Sequence, residues 1–232
     1  MRFHRLVATG LVLVASSSAP LLATTSAHAA GMAKSVASVT VVHGIPNTPV
    51  DVYVDGKAVV RDFKFAGVTR SLDLAPGTYD LAVRSAGSPP SSSPVLSANV
   101  ALHAGENLSV VANLTAGGKP ALNAFVNPTG SIPAGDARLV VRHVAAAPAV
   151  DVYAGTEKVI SDLTNPHQQV LLVPAGKITV KVDVAGTMTT VIGPAVLELR
   201  AGWTTIVYAI GSASAKNLTV AEQFYHDPRS GM

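Results

Sequence analysis

The chain has 232 residues, 17 Lys plus Arg against 14 Asp plus Glu, and no cysteine. Without Cys there is neither a disulfide framework nor a thiol for a lipid anchor. No Lys/Arg cluster is interleaved with aromatics, which argues against nucleic acid as a partner.

Arg2 and Arg5 precede an apolar run over residues 6–15, a Ser/Pro-rich stretch and Ala27-His28-Ala29. This reads as a signal peptide over residues 1–29 with cleavage before Ala30. A membrane span needs about 20 continuous apolar residues, and Ser16 to Pro20 ends the run first. The expectation is therefore a secreted, extracellular protein, loosely wall-associated at most, with no transmembrane anchor in the mature chain. Residues 1–29 hold two Arg and no acid, so the remainder carries 15 basic against 14 acidic residues.

From Ser38 the pattern is β. Val39, Val41 and His43 alternate with Thr40 and Val42, and the loop 44–49, with Pro46 and Pro49, cannot continue a strand. Val50, Val52 and Val54 share one face of the next strand, and Asp55-Gly56 marks a two-residue hairpin. Strands follow over 69–74, 78–84, 95–102, 108–114 and 121–126, with Phe65 expected as a core contributor. The Pro/Gly-rich stretch 127–135 reads as a linker. Beyond it the order returns: strands over 138–143, 150–154, 158–160, 168–173, 178–184, 188–192, 196–199, 204–210 and 218–224, then a disordered tail over 227–232. Two β-sandwich repeats, 30–126 and 136–226, are predicted.

The duplication is clearest between His43-Gly-Ile-Pro-Asn-Thr-Pro-Val-Asp51-Val-Tyr53 and His143-Val-Ala-Ala-Ala-Pro-Ala-Val-Asp151-Val-Tyr153. These stretches, with Leu74-Ala-Pro-Gly-Thr-Tyr79 and its continuation, resemble the bacterial domain-of-unknown-function family 4397, in its secreted two-repeat form, over residues 37–225. The resemblance implies two tandem immunoglobulin-like or transthyretin-like β-sandwich domains at the cell exterior and brings no established reaction. A second similarity, to surface-layer-associated domains with a Val-Asp-Gly-Lys hairpin and a Pro-Gly-Thr-Tyr turn, implies envelope association. The second repeat departs from the pattern: it keeps only Pro148 and replaces Val54-Asp55-Gly56 by Ala154-Gly155-Thr156, which weakens the hairpin signal.

His43 with Asp51, and His143 with Asp151, are the candidate His-carboxylate pairs. A zinc site of catalytic type wants three protein ligands, and no third ligand recurs. The reading favoured is that each His bonds its own loop and each Asp fixes a turn, with no metal and no cofactor. Ser109, His103 and Asp80 make a triad only on paper, since no Gly-x-Ser-x-Gly elbow exists. Trp203 is read as core or edge packing rather than a sugar platform. Asn107, Asn113 and Asn217 head chance glycosylation matches. The expectation is a non-enzymatic binding or adhesion module for an envelope polymer or protein partner, with Tyr53 and Tyr153 as possible members of an exposed patch. The alternatives are a structural spacer and a hydrolase with an unrecognised site.

Overall fold

The period-two stretches between Gly, Pro and Asp turns fold, in the computed structural model, into sixteen strands and no helix among the described residues 35–226. The expected signal peptide and the tail lie outside those residues. The first repeat contains β1 (Ala37–His43), β2 (Val50–Val54), β3 (Lys57–Phe63), β4 (Leu72–Leu74), β5 (Gly77–Ser85), β6 (Leu96–Leu102), β7 (Asn107–Leu114) and β8 (Pro120–Val126). The second contains β9 (Asp136–His143), β10 (Val150–Ala154), β11 (Glu157–Leu163), β12 (Gln168–Pro174), β13 (Gly176–Val184), β14 (Thr190–Leu199), β15 (Trp203–Ile210) and β16 (Thr219–His226).

Each repeat is a sandwich of two four-stranded sheets, β4-β1-β7-β8 on β3-β2-β5-β6 and β12-β9-β15-β16 on β11-β10-β13-β14. The all-β, two-sandwich architecture is as the sequence predicts. β1 runs parallel to β7, with His43 opposite Ala112, and β9 runs parallel to β15, with His143 opposite Ala209. Equal registers identify counterparts between repeats: Val42 with Arg142, Val111 with Tyr208, Phe125 with Gln223.

The odd-numbered residues of β1 and β9 fill the sandwich cores, Val39 and Val41 in one repeat and Leu139 and Val141 in the other. The even-numbered ones are buried as well. Val42 and Val111 meet Val140, Ile206, Tyr208 and Ile210 in a cluster built from both repeats. Sheets covered on both faces carry near-continuous apolar runs, which is why Val41-Val42 and Leu139-Val140-Val141 do not alternate with polar residues.

The two inner sheets therefore lie face to face. Thr40 of β1 meets Gln223 of β16, Ser109 of β7 meets Tyr208 of β15, and Phe125 of β8 lies against Arg142 of β9. β1 is thus over β16, β7 over β15 and β8 over β9, leaving β4 and β12 overhanging on opposite sides by one strand. Because β1 corresponds to β9 and β8 to β16, the pairing reads the same from either repeat, an isologous contact made within one chain.

Several details differ from the sequence reading. Residues 188–192 and 196–199, expected as two strands, fall into one strand, β14, which starts only at Thr190 and whose register shifts beside Gly193-Pro194; a Cβ at Gly193 would meet the Val180 carbonyl oxygen at 2.8 Å. Proline is tolerated there because β14 is an edge strand. The hairpin after β10 forms despite the lost Asp-Gly: Gly155, at φ 60°, occupies the first turn position, as a Gly-first two-residue turn requires. Phe65 packs into the cluster between repeats, not into the first sandwich. In the stretch 127–135, Asn127 and Ile132 are buried, and Arg138 donates to the carbonyls of Pro128, Gly130 and Ser131.

Candidate functional site

The repeated motif comes first because both copies have nearly the same geometry. The His43 ring sits at the end of β1, buried, with Nε2 2.8 Å from the Thr48 carbonyl; His143 Nε2 lies 2.9 Å from the Pro148 carbonyl. Burial lowers the basicity of both rings. Asp51 Oδ1 accepts the main-chain N–H of Asp62 at 2.8 Å, and Asp151 Oδ1 that of Asp162 at 2.9 Å. Asp62 and Asp162 take left-handed φ values of 51° and 54°, where the hairpins change register. Each buried carboxylate thus holds the irregularity that lets β3 or β11 follow the twist of its sheet. Asp51 Oδ2 also accepts from Gly87 N, as Asp151 Oδ2 does from Gly186 N.

Within neither copy do His and Asp share a hydrogen bond. Among the described residues no group of three His, Asp or Glu converges on a point that would hold a metal ion. Ser109, His103 and Asp80 are not brought together: Ser109 is buried between the repeats, while His103 is exposed and pairs with Glu106.

The tyrosines of the motif have different surroundings. Tyr53 is 2% exposed beneath the Arg84 guanidinium, so it joins no exposed patch. Tyr153 is half-buried, with Lys181 Nζ 4.3 Å and Lys158 Nζ 5.7 Å from its ring centre. Asp151 and Asp183 stand opposite each other on β10 and β13, the first paired to Lys158 at 2.6 Å and the second to Lys181. The hydrogen bond from Lys158, joined by the Asp162 N–H, lowers the Asp151 carboxyl to about 2, and Lys181 lowers that of Asp183. Two carboxylates held ionised by two ammonium groups form a structural network. They are poor candidates for a proton donor near neutral pH.

The seam between the repeats holds an extended buried polar cluster. Arg142, fully buried, donates from Nη1 to Tyr208 Oη, from Nη2 to Asn127 Oδ1 and from Nε to Gln168 Oε1, each at 2.8 Å. Its guanidinium lies 4.5 Å from the Phe125 ring centre. Burial lowers the Arg142 pKa and raises that of Tyr208. Tyr208, Ser109 and Gln223 continue the network, and Gln223 Nε2 reaches Thr40 Oγ1 at 3.1 Å.

Beside this cluster, where β4 overhangs β16, the seam opens into a cleft of about 510 Å³. Its floor is Ser38, Thr40, Asn107 and the segment 68–71, and its wall is the run 222–226 of β16. Arg70 is exposed, as is half of Phe224. β16 has a neighbour on one side only, so its other backbone edge runs along the cleft. An apolar cavity of about 70 Å³ also lies inside the second sandwich, where the first has about 10 Å³. The register places Val220 in the second sandwich where the first has Leu122. Trp203 is half-buried at the start of β15, 5.5 Å from the His226 ring.

The family model described as "Domain of unknown function (DUF4397)" matches residues 37–153, half of the chain. The chain belongs to this family. The DUF4397 match runs from the first residue of β1 to Tyr153, so it takes in both copies of the His-to-Tyr motif and the stretch 127–135 between the repeats. No curated protein matches the chain.

The sequence reading missed the cleft and the Arg142 cluster. The available signal was an arginine inside an otherwise apolar strand, Leu139-Val-Val-Arg142-His, at a position where the first repeat has Val42.

Proposed function

We propose that this DUF4397 protein is an exported, non-enzymatic binding module of the cell envelope whose partner seats in the cleft between its repeats. The observation that carries the reading is the cleft itself: about 510 Å³, open, polar on its floor, with a cation, an exposed aromatic ring and an unpaired strand edge around it. Surface hollows that combine apolar contact with a few fixed polar groups are the usual form of a recognition site. Export is supported by the signal-like pattern of residues 1–29, and among the described residues no helix is long and apolar enough to cross a membrane.

A spacer role is the second reading, favoured by the buried hydrogen bonds that fix one repeat on the other, Arg142 to Asn127, Tyr208 to Ser109 and Gln223 to Thr40. Co-sedimentation separates the two. The chain starting at Ala30, mixed with washed envelope fragments, should bind saturably, and Arg70→Glu should weaken that binding; a spacer gives no saturable binding. Mass spectrometry of the secreted protein should find its N-terminus at or near Ala30, and an uncut Met1 in the membrane fraction would overturn the export reading.

A further inference from the structure

We infer that the cleft takes an extended peptide, added to the free edge of β16 as a fifth strand of the second repeat's inner sheet; this rests on the binding reading above and names its partner. A strand edge presents unpaired N–H and C=O groups at regular spacing, and an added strand satisfies them while its alternate side chains meet the flanking surfaces. Here the edge is not merely exposed. Residues 222–226 form one wall of a cleft whose opposite side is the overhanging segment 68–71.

The one-strand offset explains why the space fits a single strand. β1 covers β16, and beyond it the first repeat extends only to β4. A strand laid beside β16 would continue the buried seam between the inner sheets by one step, under the 68–71 segment.

The side-chain chemistry follows from the period of two. Gln223 and Tyr225 point to the seam, and Gln223 donates to Thr40. Ser38 Oγ is taken up by Asp73 and Thr40 Oγ1 by Gln223, so peptide residues on that face would meet the Ser71 hydroxyl and the Arg70 guanidinium, which suit acidic or hydroxyl side chains. Peptide residues on the other face would lie beside Phe224, 51% exposed, which suits apolar ones. The preferred segment therefore alternates acidic or hydroxyl residues with apolar ones and has no proline at its centre.

The test is selection from a random displayed peptide library against the chain starting at Ala30, with the Arg70→Glu/Phe224→Ser double variant as matched bait. Both substituted side chains are exposed, and equal melting temperatures would establish that the variants are folded. The expected result is enrichment, on the parent only, of peptides with the alternating pattern. A synthetic copy should lose about tenfold or more in affinity for either single variant, consistent with removal of an anchoring contact. It should also lose binding when a central residue becomes proline, and should slow amide exchange in β16. No enrichment over the double variant, affinity indifferent to both substitutions, or protection confined to other strands overturns the inference. Saturable binding to purified envelope glycan without peptide enrichment removes the peptide and leaves the binding module standing. Absence of both removes both.

Discussion

Arg142 Nη2 donates to Asn127 Oδ1 at 2.8 Å, joining a strand of the second repeat to the residue that ends the first. The guanidinium is fully buried, and its acceptors are an amide, a phenol and a second amide; it has no carboxylate. A buried charge served only by neutral acceptors depends on keeping every one of them.

Tyr208→Phe should consequently cost about 1.5–3 kcal/mol, the range for hydrogen bonds to charged groups. The same change in an Arg142→Met background should cost measurably less, because the charge that needed the phenol is gone. Chemical denaturation of the four proteins gives the coupling; equal losses in both backgrounds would show that Tyr208 acts by packing alone.

Asp51→Ala and Asp151→Ala each leave a main-chain N–H, that of Asp62 or Asp162, without its acceptor in the hairpin irregularity. Each should lower stability by about 1–3 kcal/mol. The melting temperature of the parent should not respond to a chelator. Chelator-sensitive melting would point instead to a metal bound by these carboxylates.

Acid should destabilise the protein in two stages. His43 and His143 have pKa values below 6.5 when folded, so the unfolded chain binds more protons than the folded one below that pH. Their contribution is complete above about pH 6.5 and falls as the pH drops through the folded values. His43 Nδ1 has no protein partner among the described residues, so a second ring proton there would be buried without an acceptor. Asp151, lowered from 3.8 to about 2, contributes above the first value and loses its contribution as pH falls toward the second. Urea midpoints measured between pH 7 and 5 should decline, and His43→Gln with His143→Gln should flatten that decline.

Val220→Leu restores the residue that the first repeat has at this position and fills part of the 70 Å³ cavity. A gain of about 0.8 kcal/mol, the value of one buried methylene, is expected in thermal or urea unfolding. A loss would mean that the cavity is shaped to exclude the larger side chain.

The main strand pattern, the first hairpin of the His-to-Tyr motif and the duplication were legible because each depends on neighbours a few residues apart, whereas the second hairpin forms on Gly155 where the sequence signal was weakened. The alternation of Val50, Val52 and Val54 and the Asp55-Gly56 turn are local signals of this kind. The seam was not legible. Thr40 and Gln223 are 183 positions apart, and nothing near either residue announces that the second face of its strand is covered. Phe65 was misassigned for the same reason: a large aromatic side chain signals burial without saying against which repeat. The cleft is one step further removed, since it arises from the one-strand offset between two sheets and not from any run of residues.

The isologous seam also bears on strand and domain exchange. If two chains opened between their repeats, each first repeat could close on the second repeat of the other chain and recover every contact, giving an exchanged dimer. Like could not replace unlike. Two second repeats together would bury two Arg142 guanidinium groups without Asn127, and two first repeats would leave Ser109 and Asn127 without Arg142 and Tyr208. The asymmetry written into Val42 against Arg142 thus fixes which half recognises which, and confines any exchange to reciprocal partners.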